Sequence, residues 1–409
     1  MIRQLARAGA TLTMASLLLT ACSGEQGTSA EHPAEHPVFD QKLDLQVYLA
    51  LRQTQKAGGA DFVQTMTFES KKGRAVQTLS GRMDFAEKTG EATVKWQLPK
   101  ELPQETKDTL LGATPGEGNP HAAHVLVDPQ HVHYRAGSAA YWLRYTMADT
   151  GPNFRINAVD HLRGAEGAVG GTLLESLGAT KATSRQTDGS QRVYAAGIPK
   201  SAIARLLPED LERELPALSP VGSSAENTPL PTTVSVDGRG RVTHVRADLS
   251  AILEGRGSAF EDMTSLTVDL RLSEHGASTP TAKPDGTVRP ASEAVRSVGS
   301  MKPGGCFDFS TGQRLLDTVV DVPCSGAHDA RLFAQRTLGT SPYPGRKAAR
   351  EMAAATCSAA YDTAPGSWTS EAHRPGDYWF MWSSQEEWDK NGEDAEDVSC
   401  FVTTTGDTD

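Results

Sequence analysis

The chain has little positive charge, few cysteines and none of the short motifs that mark common catalytic sites. Lysine and arginine together number 40, against 51 aspartates and glutamates, so the net charge is −11 at pH 7. An acidic protein without a basic stripe is repelled by nucleic acid. The sequence therefore predicts no nucleic-acid partner.

The missing motifs argue against several enzyme classes. The chain contains no Gly-x-Ser-x-Gly, no His-Glu-x-x-His and no Cys-x-x-Cys. These motifs provide a nucleophilic serine, a catalytic zinc site and a cysteine-bound zinc site. No pair of carboxylates stands out as a general acid and base. We therefore expect a protein that is not an enzyme and that needs no metal or other cofactor.

Residues 1–21 have the pattern of a signal peptide. Arg3 and Arg7 are their only charged residues, and an apolar run ends in Leu19-Thr20-Ala21 before Cys22. This ending resembles the lipobox of bacterial lipoproteins, which implies a diacylglyceryl group on the Cys22 thiol and cleavage before it. An ordinary signal peptide or a single anchor helix is the alternative, although the segment is short for a membrane span. We expect a protein anchored by lipid to the outer face of the cell membrane.

Residues 22–39 predict an acylated tether. Their sequence is polar and repeats Glu-His-Pro at positions 31–33 and 35–37, and such a segment buries little apolar surface. His32 and His36 could bind a metal, but a solvated linker explains them more simply.

The other four cysteines predict two disulfide bonds. Cys306, Cys324, Cys357 and Cys400 all lie in the last quarter of the chain, and an exported protein is in an oxidising compartment. Three connectivities are possible, of which we favour Cys306–Cys324 with Cys357–Cys400. A zinc site is the alternative.

Alternating apolar residues predict antiparallel strands with one wet face over much of residues 40–275. Asp40 is a candidate cap for an opening helix that ends at Gly58-Gly59. The expected strands are 62–68, 75–85, 92–98, 124–127, 131–134, 141–145, 192–195, 232–236, 242–249 and 265–272. Short helices are expected at 173–177 and 201–207, and a long surface loop at 99–120. The fold class is α+β, with a curved antiparallel sheet wrapped on helices.

This order of elements resembles the LolA/LppX family of lipoprotein and lipid carriers. The resemblance rests on the lipobox, the opening helix, Ser80-Gly81-Arg82-Met83-Asp84 and the V-S-V-D-G run at 234–238. It implies an incomplete β-barrel, with helices closing its mouth, over residues 40–275. A lipidic ligand would then contact the inward-facing residues, for which the candidates are Met66, Phe68, Met83, Phe85, Trp96, Leu98, Leu266, Val268 and Leu270. The same residues could equally form an ordinary packed core.

The glycine-rich run at 164–171 lacks the residues of a phosphate-binding loop. We interpret it as a flap near the mouth of the half-barrel.

A second domain is expected at residues 301–405, after a Pro/Gly/Ser/Thr-rich linker at 276–300. Its motifs Gly-Gly-Cys-Phe at 304–307 and Val-Pro-Cys-Ser at 322–325, followed by His328-Asp329, resemble the septum-formation-related domain of actinobacterial membrane proteins. The resemblance implies a small disulfide-bonded α+β domain that contacts a septal or envelope protein. His328 and Asp329 are interpreted as a hydrogen-bonded turn beside a disulfide bond, with catalysis as the alternative.

Four histidines cluster around one expected hairpin, at positions 121, 124, 131 and 133. His131 and His133 share a face of a strand, so a metal site is geometrically possible. Polar residues on a wet face are the simpler explanation.

Together these patterns predict a membrane-anchored lipoprotein that binds a lipidic ligand in its half-barrel. The rival hypothesis is a structural or interaction protein of the envelope or division septum, with a half-barrel that is packed solid.

Overall fold

The computed structural model describes most of the chain after its N-terminal segment. The described residues are 36–111, 122–137, 139–149, 162–164, 169–203, 206–207, 211, 215, 228–277, 282–309, 311–312, 318–338, 342–382, 388 and 397–404. The predicted signal peptide, Cys22 and most of the predicted tether lie outside them.

The larger of two sheets is curved and open, as the sequence predicts. Its strands in chain order are β1 (Gly59–Ser70), β2 (Gly73–Asp84), β3 (Thr89–Gln97), β4 (Ala122–Val127), β5 (His131–Ala136), β6 (Tyr141–Thr146), β7 (Lys181–Asp188), β8 (Gln191–Ile198), β9 (Leu230–Val236), β10 (Val242–Asp248), β11 (Met263–Ser273) and β12 (Thr287–Pro290). They lie in the order β12-β6-β5-β4-β3-β2-β1-β11-β10-β9-β8-β7. Neighbouring strands are antiparallel except β12 and β6, which are parallel. The edge strands β12 and β7 do not pair with each other, so the sheet does not close into a barrel.

The second sheet has six strands in the order β13-β15-β14-β16-β18-β17. Their bounds are β13 (Val295–Ser297), β14 (Cys306–Asp308), β15 (Thr318–Val322), β16 (Ala330–Thr337), β17 (Trp379–Trp382) and β18 (Asp397–Thr403). Disulfide bonds join Cys306 to Cys324 and Cys357 to Cys400, which confirms the favoured connectivity. The bonds close loops of 18 and 43 residues, and such loops stabilise a small domain by about 3 and about 4 kcal/mol in the chain-entropy estimate.

Helices are few and mostly short. The α-helices are α1 (Leu43–Lys56), α2 (Gln104–Leu111), α3 (Leu174–Leu177), α4 (Ala291–Ala294), α5 (Arg346–Thr363) and α6 (Gly366–Thr369). Short 3-10 helices lie at Pro37–Asp40, Lys200–Ala202, Ser250–Leu253, Ser258–Phe260 and Val298–Ser300. Among these described helices, none combines the length and apolar character that a bilayer crossing needs.

The opening helix packs its apolar stripe against the large sheet. Val47, Ala50 and Leu51 are fully buried, and α1 contacts β7 and β10. The Thr54 hydroxyl donates to the Ala50 carbonyl and accepts from the Val242 amide, both at 2.8 Å. This second bond fixes the end of α1 to the start of β10.

The start of the folded body differs from the prediction in two ways. Lys42 precedes α1 without a side-chain capping bond, so Asp40 is not its cap. Asp40 instead ends the 3-10 helix, in which Val38 and Phe39 are buried. The last residues of the predicted tether therefore belong to the folded part of the chain. Burial removes the apolar side chains of Val38 and Phe39 from water, which is favourable.

Five further elements were not expected from the sequence. Helix α2 occupies part of the predicted loop at 99–120, and its Leu110 is fully buried. Strand β7 is almost entirely exposed and has a polar sequence, so it shows no apolar alternation. The predicted linker at 276–300 contains β12, α4 and β13.

Part of the second sheet joins the hydrophobic core of the large sheet, and its other buried side chains form two separate clusters. Ala291, Val295, Val320 and Val322 belong to the same buried cluster as the inward-facing side chains of the large sheet. Residues 36–409 accordingly form one compact unit. The division into domains at 275 and 301 stays a prediction about the chain, but its two parts bury apolar surface together.

The shared core predicts that both sheets unfold together. Val320→Ala removes two buried methyl groups from β15 and should lower the free energy of unfolding by about 2 kcal/mol. Differential scanning calorimetry should then show one transition that moves as a whole to lower temperature. Val63→Ala is the matched control, because Val63 lies on the outer face of β1 and is 47% exposed. Separate transitions, of which Val320→Ala moves only one, would contradict the shared core.

Candidate functional site

The candidate ligand-contacting residues all face the core side of the large sheet. Seven of the nine are buried, and Phe85 and Leu98 are partly buried against the same cluster. The buried seven are Met66, Phe68, Met83, Trp96, Leu266, Val268 and Leu270.

Strand register places these residues on one side of the sheet, here called the concave face, which is mainly apolar but also includes the polar side chains of Gln64 and Gln77. Met66 lies opposite Val268, and Phe68 lies opposite Leu266, in the antiparallel pair β1–β11. Residues directly opposite on adjacent strands are in side-chain contact. The sequence predicted the inward faces of β1, β2, β3 and β11 correctly, and the register supplies the neighbours that alternation alone does not give.

One part of the concave face is packed by aromatic rings. The Phe68 ring stacks on Phe260, with centroids 5.7 Å apart, and its centroid lies 6.5 Å from that of Trp96. Phe260 comes from a 3-10 helix, and the adjacent Ala259 carbonyl accepts a 2.7 Å hydrogen bond from Thr106 of α2. The helix missed by sequence analysis thus holds the covering aromatic ring in place.

Two further stretches of the chain contribute buried side chains to the core on the concave side. Buried side chains of residues 169–177 and 203–215 join the core cluster, yet the only α-helix within 169–177 is the four-residue α3. The segment before α3 is tied to the sheet by the side chain of Gln64. Residues 165–168 of the predicted glycine-rich flap lie outside the described residues.

The second sheet covers the concave face at β5 and β6. A Cβ on Gly312, which has a φ of +78°, would lie 2.8 Å from the Tyr134 ring, so only glycine permits this approach. The Tyr145 hydroxyl donates to the Thr311 carbonyl. The Tyr141 hydroxyl donates to Asp308 Oδ2 at 2.7 Å.

These contacts define a polar junction between the sheets, made by Tyr141, Asp308, Asp329, His328 and Arg289. Asp308 Oδ1 accepts from the Asp329 amide at 3.1 Å. Arg289 lies over the Tyr141 ring, with its guanidinium carbon 5.2 Å from the ring centroid. Sequence analysis missed this junction because Tyr141 and Asp308 are 167 residues apart.

Burial at the polar junction favours the protonated forms of Asp308 and Asp329. Burial, followed by the charge of Asp308, raises the pKa of Asp329 to about 6. Burial also raises the pKa of Asp308, against the effect of its hydrogen bonds from Tyr141 and Asp329. The pKa of Tyr141 is raised by burial and by the Asp308 carboxylate. Tyr141 therefore remains a neutral donor.

His328 lies in a hydrogen-bonded turn beside a disulfide bond, as predicted. Its Nδ1 is 2.9 Å from the Gly326 carbonyl and its Nε2 is 3.2 Å from Glu371 Oε2. Arg331 also bonds to Glu371. Cys306, His328 and Glu371 converge closely enough to suggest a metal site, but the Cys306 sulfur is bonded to Cys324. A thiolate is required for metal ligation, so this group offers two ligands rather than three.

The described histidines of the predicted hairpin have partners within the protein. His131 Nδ1 lies 3.2 Å from Asp128, and the His131 and His133 rings are 5.8 Å apart. His133 is buried rather than on a wet face, and burial lowers its pKa. His124 Nδ1 lies 3.3 Å from the Thr93 hydroxyl. His121 lies outside the described residues.

Comparisons with known proteins give low similarity only. No protein-family profile and no curated protein matches the chain. Among solved structures it is similar to the lipoprotein LppX of Mycobacterium tuberculosis, with 11% identity over 58% of this chain and 100% of that one, at a TM-score of 0.29. LprF of Mycobacterium bovis gives 13% identity, 60% and 100% coverage and a TM-score of 0.30. A conserved protein of Thermus thermophilus gives 7% identity, 59% and 98% coverage and a TM-score of 0.27. Similarity at this level carries no inference about function, which must come from the residues of this chain.

The polar junction predicts a pH-dependent stability. A carboxyl whose pKa is raised by folding stabilises the folded state below its unfolded pKa of about 4, and this contribution is lost as pH rises through the folded value. The free energy of unfolding should therefore fall between about pH 4 and pH 7 on account of Asp329. The Asp329→Asn variant keeps an acceptor for the Phe309 amide. In urea titrations at a series of pH values, it should show a smaller fall in the free energy of unfolding over this range.

Asp321→Asn is the control for that experiment. Asp321 lies on β15 with its side chain 45% exposed, in an ion pair with Arg296. The Asp321→Asn variant should leave the pH dependence of the free energy of unfolding unchanged. An unchanged slope in Asp329→Asn would mean that Asp329 does not titrate in this range.

Proposed function

We propose that this protein is a non-enzymatic lipoprotein that binds an apolar, acyl-chain ligand on the concave face of its large sheet. The observation that carries the proposal is the concave face itself. It is a mainly apolar surface on an open sheet, and part of its cover comes from the four-residue helix α3 and the residues before it. The resemblance of the sequence to lipid carriers supports the same function.

Apolar surface on an open sheet suits an acyl chain for a physical reason. Ligand sites for such molecules are lined by hydrophobic and aromatic side chains with few polar groups. Each ligand methylene group moved from water to this surface contributes about 0.8 kcal/mol. Short covering segments can separate from the sheet at less cost than a long packed helix, because they bury less area each.

The ligand prediction can be tested by adding volume to the concave face. Val268→Phe places a ring where Val268 faces Met66. If the face holds a ligand, the ring should displace it while the fold is retained. Native mass spectrometry of protein without its leader, after exposure to a membrane extract, should show a bound lipid on the wild type and less on the variant.

Thr267→Phe is the matched control, because the neighbouring side chain lies on the outer face of the same strand. It should leave lipid binding unchanged. A wild-type protein that retains no lipid, with a Val268→Phe variant destabilised by about 1–3 kcal/mol through overpacking, would contradict the proposal.

That contrary result would favour a role as an interaction protein of the envelope or septum. One observation favours this second candidate. Strand β17 is at the edge of the second sheet in the described part of the chain, and its Trp379 is 37% exposed. Exposed aromatic residues on an edge strand are common at protein interfaces.

We further propose that Cys22 carries the lipid anchor and holds the protein at the outer face of the membrane. Cells grown with an alkyne-tagged fatty acid should label the wild-type chain and leave Cys22→Ala unlabelled. The double variant Cys357→Ala/Cys400→Ala controls for cysteine loss in general and should remain labelled. An unlabelled wild type would rule out acylation of Cys22.

A further inference from the structure

Strand β1 places one polar side chain, Gln64, among the apolar residues that it contributes to the concave face. Gln64 lies between Phe62 and Met66 on this face and pairs across the sheet with Leu79 and Leu270. It is 1% exposed. Burying an amide among apolar side chains is unfavourable unless the amide is hydrogen-bonded. The hydrogen-bond partners of Gln64 therefore indicate its structural role.

The Gln64 side chain hydrogen-bonds the backbone of Gly171 and of Leu173, the residues on either side of Thr172. Its Nε2 donates to the Gly171 carbonyl and its Oε1 accepts from the Leu173 amide, both at 2.7 Å. These bonds hold Thr172 against the sheet. A primary amide has two N–H groups, and in the described part of the chain Gln64 uses one of them.

The Thr172 hydroxyl is buried and has no hydrogen-bond partner among the described residues. The residue is 0% exposed, and its Oγ1 is one of few buried side-chain atoms left unpaired. The next two buried hydroxyls in the chain are both paired: Ser176 donates to the Ala202 carbonyl at 2.9 Å, and Thr180 donates to the Ser176 carbonyl at 2.8 Å. Most buried hydroxyls are paired in this way.

The residues that follow Thr172 in the chain include several buried leucines. Leu173, Leu174 and Leu177 follow it into the core cluster. A valine would fill the same volume without an unpaired oxygen. The position therefore holds a group that is unfavourable in the protein alone and that a partner oxygen or donor would satisfy.

We propose that Thr172 Oγ1, together with the second N–H of Gln64, hydrogen-bonds the carbonyl oxygen of an acyl ligand whose hydrocarbon chain lies on the concave face. This rests on the proposed function and makes it more specific. The ligand class is an acyl compound, whether a free fatty acid or an ester, rather than any apolar molecule. Thr172 thus orients the ligand, and the apolar strands supply most of the affinity.

Three fluorescent probes test the proposal on the leaderless protein. Parinaric acid and its methyl ester both have an acyl carbonyl, as acid and as ester, whereas diphenylhexatriene is an apolar molecule without oxygen. Thr172→Val should bind both acyl probes about five- to tenfold more weakly, the factor expected for one lost hydrogen bond. Its affinity for diphenylhexatriene should be unchanged. Equal losses of affinity for the acid and the ester would identify the shared carbonyl as the group that Thr172 binds. A loss of affinity for the acid alone would indicate a free fatty acid as the ligand, and a loss for the ester alone would indicate an ester.

Two further variants separate binding from folding. Thr180→Val removes a buried, paired hydroxyl from the same segment; it should lower thermal stability and leave probe preference as in the wild type. Thr172→Val should be at least as stable as the wild type without ligand, because it removes an unpaired hydroxyl. Thr172→Ser keeps the hydroxyl and should retain the preference for acyl probes.

The possible failures are distinguishable. If the wild type binds all three probes and Thr172→Val binds them equally well, the role of Thr172 is wrong and the proposed function stands. If Thr172→Val weakens all three probes alike or unfolds, and Thr172→Ser does the same, Thr172 is structural and the inference is overturned. If the wild type binds none of the probes, the proposed function fails, and the inference fails with it.

Discussion

The concave apolar face of an open twelve-stranded sheet is the constraint on which the rest of this structure depends. A closed barrel buries its inner face with its own strands, but here β12 and β7 remain separate edges. Other parts of the chain must cover the face. Helix α1, the short segments around α3 and the ring of Phe260 each cover a part of it.

The second sheet is part of this cover. Val320 and Val322 belong to the core cluster of the large sheet, and Tyr141 and Asp308 join the two sheets through a hydrogen bond. A polar junction inside an otherwise apolar contact fixes how the two sheets meet, since each buried polar group must find its partner.

Sequence reasoning succeeded where burial is one-sided and local. Met66 and Leu266 lie in strands with clean alternation, and the face predicted for each is the one observed. It failed at β7, whose polar edge gives no alternation, and at α2, where a Pro/Gly-rich context concealed a helix. It also did not single out Gln64 within its predicted strand. No local pattern indicates that this amide holds Thr172, which is 108 residues further along the chain.

The sequence alone determined the α+β class, the faces of the main strands and the cysteines available for two disulfide bonds, because periodicity and composition are local properties. The tertiary structure decided the strand register, the parallel pairing of β12 with β6, the shared core of the two sheets and the isolation of the Thr172 hydroxyl. Each of these depends on which distant residues meet. Contacts between distant residues are determined by the packing of the whole chain and not by the spacing of residues along it.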